Sequence, residues 1–297
     1  VFSVWRRLPV VVQAVLAGLL VLAAGSIPWS GIAGYPSLAG LNLRVLVALP
    51  WAVAPMALYL ILYWKYVGGS GWPRATGEYR RTSLRANPLS AEVWGVSLLA
   101  GFVGLAATLP LLRIMSRLVT LPADAQQVAP PSGMPVATVF LLLAMASIVA
   151  GVAEEAAFRG YMQGQLERRY GAVVAILVSG TVFGLLHYNH HPAAVLTMLP
   201  YYLAISAVYG GLAATTNSIL PGLALHVGGD VFSLTRLWTT GRPEWQVTPV
   251  APPLVWDSGV DFAFVRSVIV LVLLVGAAAW AYRATRRVAQ TAGLGAP

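Results

Sequence analysis

Eight stretches of mostly apolar residues divide the chain, at 10–29, 45–64, 93–112, 135–158, 172–187, 195–214, 219–237 and 262–282. A helix that crosses the ~30 Å hydrocarbon core of a bilayer needs ~20 such residues, and lipid leaves no alternative partner for its backbone polar groups. The runs therefore predict an all-α fold, a polytopic transmembrane bundle of about eight helices. Composition agrees: 58% of the 297 residues are hydrophobic and 10% are charged, a balance that water would not tolerate in a globule of this size. Three sections follow along the chain. Residues 1–134 hold helices 1–3 and their loops, 135–237 hold helices 4–7, and 238–297 hold an outer loop, the last helix and a basic tail.

A formal charge of +9 suggests nucleic acid only until the basic residues are placed. They stand at the ends of apolar runs and form no basic face, so they read as a topology signal and no nucleic acid partner is expected. With the N-terminus inside, thirteen of the nineteen Lys and Arg fall on inner segments and six on outer ones, which puts both termini in the cytoplasm. The first run is expected to be a retained helix, and the address a plasma membrane, the inner membrane if the source is bacterial. Arg outnumbers Lys eighteen to one, as in a GC-rich bacterial gene. Cysteine is absent, which excludes disulfides, thiolate nucleophiles and cysteine-ligated zinc. Of the loops, Lys65 to Glu92 is expected to lie along the anionic inner leaflet, Arg113 to Gly133 to be irregular, and Trp238 to Asp261 to form an interfacial flap carrying Trp245 and Trp256. Arg44, Arg113 and Arg266 should snorkel.

An ionisable side chain in a span costs ~2.5–3.5 kcal/mol even on a lenient scale, so each one is a functional candidate. They gather in three places: Glu154, Glu155 and Arg159; His187, four residues after Phe183; and His226 with Asp230. Glu155 and Arg159, four apart with the acid first, should form an intrahelical ion pair and support the site structurally. Glu154 points ~100° away and has no charge partner on its own helix, leaving it available for chemistry. Phe183 shares a face with His187, and His226 shares one with Asp230. His190 and His191 precede Pro192 and read as surface loop.

The fourth helix carries no proline between Arg159 and Arg169, so it should run on past the membrane surface, its residues 163–170 projecting into the cytoplasm, and turn at Gly171. Glu154 lies seventeen residues before that glycine and His187 sixteen after it. In an antiparallel hairpin both fall ~25 Å from the turn, and His226 enters a later helix to a similar depth. A carboxylate and two imidazoles at one depth can activate water against an amide. Glu154 would serve as general base and then as acid to the leaving amine, with His187 holding the water. His226 would polarise the carbonyl or stabilise the oxyanion, while Asp230 fixes its tautomer or accepts a proton from substrate. His187, His226 and Glu154 also make a zinc-type ligand set, so zinc and metal-free hydrolysis both stay open.

These residues resemble the three motifs of the CPBP family of intramembrane proteases. That family includes type II CAAX prenyl endopeptidases and the bacteriocin-processing and self-immunity proteins of the Abi group. Glu-Glu-x-x-x-Arg stands here as Glu154, Glu155 and Arg159, Phe-x-x-x-His as Phe183 and His187, and His-x-x-x-Asn/Asp as His226 and Asp230. The resemblance covers roughly residues 135–235. It implies an intramembrane endopeptidase in which Glu154 and His187 activate water while His226 and Asp230 hold the oxyanion. The substrate it implies is a membrane-associated peptide or protein, prenylated or not. One departure is specific: prenyl-processing members have Asn where this chain has Asp230, so Asp230 must carry a proton, orient His226 or bind a metal. Two other classes compete with the enzyme. A non-catalytic scaffold or immunity protein would keep the fold without needing Glu154, and a proton-coupled transporter would use the same groups as a relay. The lack of an internal repeat weighs against the transporter.

Overall fold

The computed structural model describes residues 7–31, 36–123, 133–187 and 194–294. The fold is all-α, with no strand among the described residues. In chain order the helices are α1 Val10–Ser30, α2 Leu38–Asn42, α3 Val53–Val67, α4 Gly77–Leu84, α5 Ala91–Ala106, α6 Thr108–Leu118 and α7 Val136–Glu154. A π-helical segment, Glu155–Met162, leads into α8 Gln163–Leu186, and α9 Val195–Thr216, α10 Leu220–Thr240, α11 Val255–Ser258 and α12 Phe262–Thr291 follow. Five continuous stretches among the described residues are long and apolar enough to cross a membrane: Val10–Ser30, Ala91–Leu118, Val136–Leu186, Val195–Thr216 and Phe262–Thr291. The protein is thus a multi-pass membrane protein. Val136–Leu186 is broken at Gly171, whose φ of 79° and ψ of 166° lie outside the helical region, so it supplies two arms. With α3, which is apolar but short, and α10, which has the length but not the apolarity, every predicted run coincides with a helix. The second run starts later than expected. Asn42, fully buried, takes Leu49 O and Ala52 N and holds the intervening residues in turns, so helix begins only at Val53.

The chain forms two compact units. One comprises residues 1–86, 128–175 and 226–235; the other comprises 87–127, 176–225 and 236–297. In the first, α1 packs on α7 and the π segment, α3 on α7, and α4 on the π segment. The α1 contact is close because it is made by glycine: a Cβ at Gly18 would stand 2.7 Å from Met162 Cε, and one at Gly25 would stand 2.6 Å from the Ala153 Cβ. Pro28 interrupts α1 and frees the Ala24 carbonyl four residues back, and the Tyr59 hydroxyl donates to it at 2.5 Å.

The Lys65 to Glu92 segment does not simply rest on a lipid surface. Arg80 is buried and donates to the carbonyls of Tyr66, Gly71 and Pro73, and Arg85, 7% exposed, pairs with Glu167. Burial draws the Arg85 guanidinium below its usual pKa, and Glu167 opposes that shift. The polar run expected to project into the cytoplasm is buried as far as Leu166, with Gln165 donating to the Tyr79 hydroxyl; only 168–170 are exposed. These residues are polar because they meet a polar folded loop, not water.

In the second unit α12 packs on α5, α6 and α9 around Ala100, Leu212 and Ala281, and the Tyr282 hydroxyl donates to Val208 O. Its outer loop is fastened to the end of α6. Trp245, 3% exposed, donates from Nε1 to Pro122 O and is a buried anchor, so of these two tryptophans Trp256, at 73%, is the one with the exposure of an interfacial residue. Arg117 is buried and pairs with Asp261 at 2.7 Å.

Candidate active site

Five of the seven candidate site residues lie in the first unit. Glu154 ends α7, Glu155 and Arg159 sit in the π segment, and His226 and Asp230 lie one turn apart on α10. Glu155 Oε1 is 3.2 Å from Arg159 Nη1, with both side chains at or below 1% exposure. In a dry interior each member of a pair this deep depends on the opposite charge of the other.

The same carboxylate does a second task that the motif spacing did not announce. Glu155 Oε1 is 2.9 Å from His226 Nδ1. A carboxylate held ionised by an arginine only accepts, so Nδ1 carries the proton and Nε2 is the nitrogen turned to the remaining acids. This corrects the expectation that Asp230 fixes the His226 tautomer. Asp230 Oδ2 lies 3.6 Å from Nε2, on the other side of the ring. Glu154 Oε2 stands at the same 3.6 Å from Nε2, so its charge partner is on α10 and not on its own helix. Two carboxylates therefore face one imidazole nitrogen, each just beyond direct hydrogen-bonding distance, a spacing that an inserted water or substrate atom can bridge. Glu154 Oε2 makes no hydrogen bond among the described residues. Exposure grades outward, from 0% at Glu155 and 7% at His226 to 19% at Glu154 and 30% at Asp230.

Phe183 and His187 lie in the second unit, at the end of α8. His187 Nδ1 is 2.7 Å from Phe183 O, a backbone acceptor with no proton to give, so here too Nδ1 is the donor and Nε2 has the lone pair. Its ring lies 4.3 Å from that of Phe183 and 4.4 Å from that of Tyr202, centroid to centroid. Tyr202, 2% exposed and next to Tyr201, was not singled out in the sequence; a tyrosine on a neighbouring apolar helix has no mark that distinguishes it from core. Asn189, His190, His191 and Pro192 lie outside the described residues.

Among the described residues no group of three His, Asp or Glu side chains is arranged to hold a metal ion. The zinc-type set of His187, His226 and Glu154 is accordingly not supported.

An all-α membrane protein with carboxyl groups gathered around a buried histidine is the class that fold and site define. Residues 136–232 match the model of the type II CAAX prenyl endopeptidase Rce1-like family. That stretch contains all seven motif residues, and it bears out the resemblance to CPBP-family intramembrane proteases. No curated protein and no solved structure matches the chain.

Proposed function

We propose that this protein is an intramembrane endopeptidase that hydrolyses a peptide bond without a metal, with Glu154 as general base. The supporting observation is the position of Glu154 Oε2. The side chain is 19% exposed, while Oε2 itself is buried, makes no hydrogen bond among the described residues, and faces His226 Nε2 across 3.6 Å. Glu154 takes a proton from water as the oxygen bonds to the scissile carbonyl carbon. His226, held by Glu155 and protonated at Nε2, donates to the developing oxyanion, with Asp230 balancing that charge. Collapse breaks the C–N bond, and Glu154 returns its proton to the amine. His187, with its Nδ1 on Phe183 O, presents Nε2 as an acceptor for the attacking water. That role rests on the family's motif order.

The substrate class is a membrane-associated peptide or protein, prenylated or not. The protein is placed in a plasma membrane with both termini cytoplasmic, a reading that rests on the inner excess of basic residues. That excess remains after Arg80, Arg85 and Arg159, which have internal partners, are set aside.

The test is cleavage of a fluorogenic peptide panel, prenylated CAAX peptides included, by purified protein in detergent. Wild type and Glu154→Gln are compared, each with and without a chelator. The expected result is cleavage by wild type that survives chelation and falls ~10²–10⁴-fold in a folded Glu154→Gln protein. Equal cleavage by the variant removes Glu154 from the mechanism, and loss on chelation restores the metal.

A further inference from the structure

The segment that carries Glu155 and Arg159 is π-helical over eight residues, an arrangement that is rare, costs hydrogen-bond geometry and recurs at functional sites. Where a π segment rejoins an α-helix the ladder skips a carbonyl. Here that carbonyl belongs to Arg159. Gln163 N–H, whose α-helical acceptor would be Arg159 O, instead reaches Phe158 O and Gly160 O. Arg85 Nη2 donates to Arg159 O at 2.6 Å. The arginine comes from the C-terminal end of α4, where its own backbone is left-handed at φ 55°, a conformation that costs a non-glycine residue and turns the side chain inward. The approach is backbone to backbone: a Cβ at Gly160 would meet Leu84 O at 3.0 Å and Ser83 O at 3.2 Å. Glu167, one turn into α8, holds the other arm of the guanidinium and also accepts from Gln163 Nε2 at 2.6 Å.

We infer that Arg85 is a positioning residue for the Glu154 and Glu155 carboxylates, acting by capping the carbonyl that the π segment orphans. This rests on the proposed protease reading for its effect on rate, though not for its effect on geometry. An extra residue per turn sets the rotation of the helix before the segment relative to the helix after it. Reversion of the segment to α-helix would turn Glu154 and Glu155 by ~100° about the axis relative to Gly160 and Glu167, away from His226. With Arg159 O satisfied from outside the helix, the π geometry no longer leaves a polar group bare in a low-dielectric setting. The inner loop is therefore part of the site's construction although it contains no motif.

Arg85→Ala and Glu167→Gln both break the Arg85–Glu167 pair, but only the first removes the donor to Arg159 O. Two readouts are taken on purified protein whose folding is checked by thermal unfolding. The first is the His226 imidazole resonance in ¹⁵N-histidine-labelled protein, assigned by its loss in His226→Phe. The second is kcat and KM for the peptide that wild type cleaves. The expected result is that Arg85→Ala shifts or broadens the His226 Nδ1–H signal and lowers kcat tenfold or more with KM within twofold. Glu167→Gln should leave the signal in place and kcat within threefold. If Arg85→Ala does not fold, Arg85→Gln replaces it with the same expectation. An unchanged His226 signal in the folded Arg85 variant overturns the inference, and so does an equal change in Glu167→Gln. If wild type cleaves nothing while the signal responds as expected, the protease reading fails and the positioning role stands.

Discussion

His226 and His187 both donate from Nδ1, and they are held that way by opposite means. His226 donates from Nδ1 to Glu155, a carboxylate 71 residues away in the chain that is itself buried against Arg159. His187 donates from Nδ1 to the carbonyl of Phe183, one turn back on its own helix, with the Phe183 and Tyr202 rings beside it. The first arrangement exists only if α10 and the π segment meet, and it places a full charge behind the ring. The second is nearly complete within one helical turn and uses no charge. A histidine fixed by its own backbone tolerates change around it, whereas one fixed by a distant ion pair depends on both partners.

Glu154→Gln has the largest expected effect on activity, the loss already described, and it should leave both histidines in place because neither uses Glu154 as its Nδ1 acceptor. Glu155→Gln sharpens the contrast most directly. It removes the Arg159 ion-pair partner and neutralises the His226 acceptor, so a stability loss of ~3–5 kcal/mol is expected by thermal or denaturant unfolding, together with loss of cleavage. Phe183→Leu is its counterpart. The acceptor for His187 is backbone and survives the substitution, so the Nδ1–H signal of His187 should persist in ¹⁵N spectra, with a cost of ~0.5–1.5 kcal/mol for the lost ring pair. A vanished His187 signal would break the comparison. Asp230→Asn, which installs the residue of prenyl-processing relatives, should keep kcat/KM within about tenfold, because Asp230 faces Nε2 and does not set the tautomer. A larger fall would give Asp230 a charge-dependent role that Asn cannot fill.

The smallest effect lies outside both regions. Backbone N–H donation from Phe264 at the start of α12, helped by Arg117, holds the Asp261 carboxyl below the usual carboxylate range. A depressed carboxylate contributes stability that is present above its unfolded value of about 3.9 and lost as pH falls through the lower folded value. Wild type should therefore be slightly more stable than Asp261→Asn at neutral pH. The difference should close only in that acid window, which melting curves from pH 7 to pH 3 would show.

The legible parts of this site were the local ones. Spacing of four residues put Glu155 beside Arg159 and Phe183 beside His187, because helical periodicity carries such pairs without tertiary help. The turn at Gly171 was legible from a glycine after a polar run. What spacing could not show was that Glu155 has two partners, since one ion pair already accounted for it, or that Arg85 and Glu167 belong with the motif helix, since a basic inner loop looks the same whether it faces lipid or protein. The π segment was also hidden, because its residues are ordinary helix formers and its stability comes from a donor outside it.

Apolar runs, basic flanks and three charged motifs in order determined by themselves that this chain is a multi-pass helical membrane protein with ionisable groups gathered within its apolar runs. Hydrophobic length and the cost of charge in lipid leave few other uses for such a pattern. Tertiary structure alone decided which acid holds which nitrogen and which loop completes the helix, because those contacts depend on rotation about helix axes and on side chains that meet from distant parts of the chain.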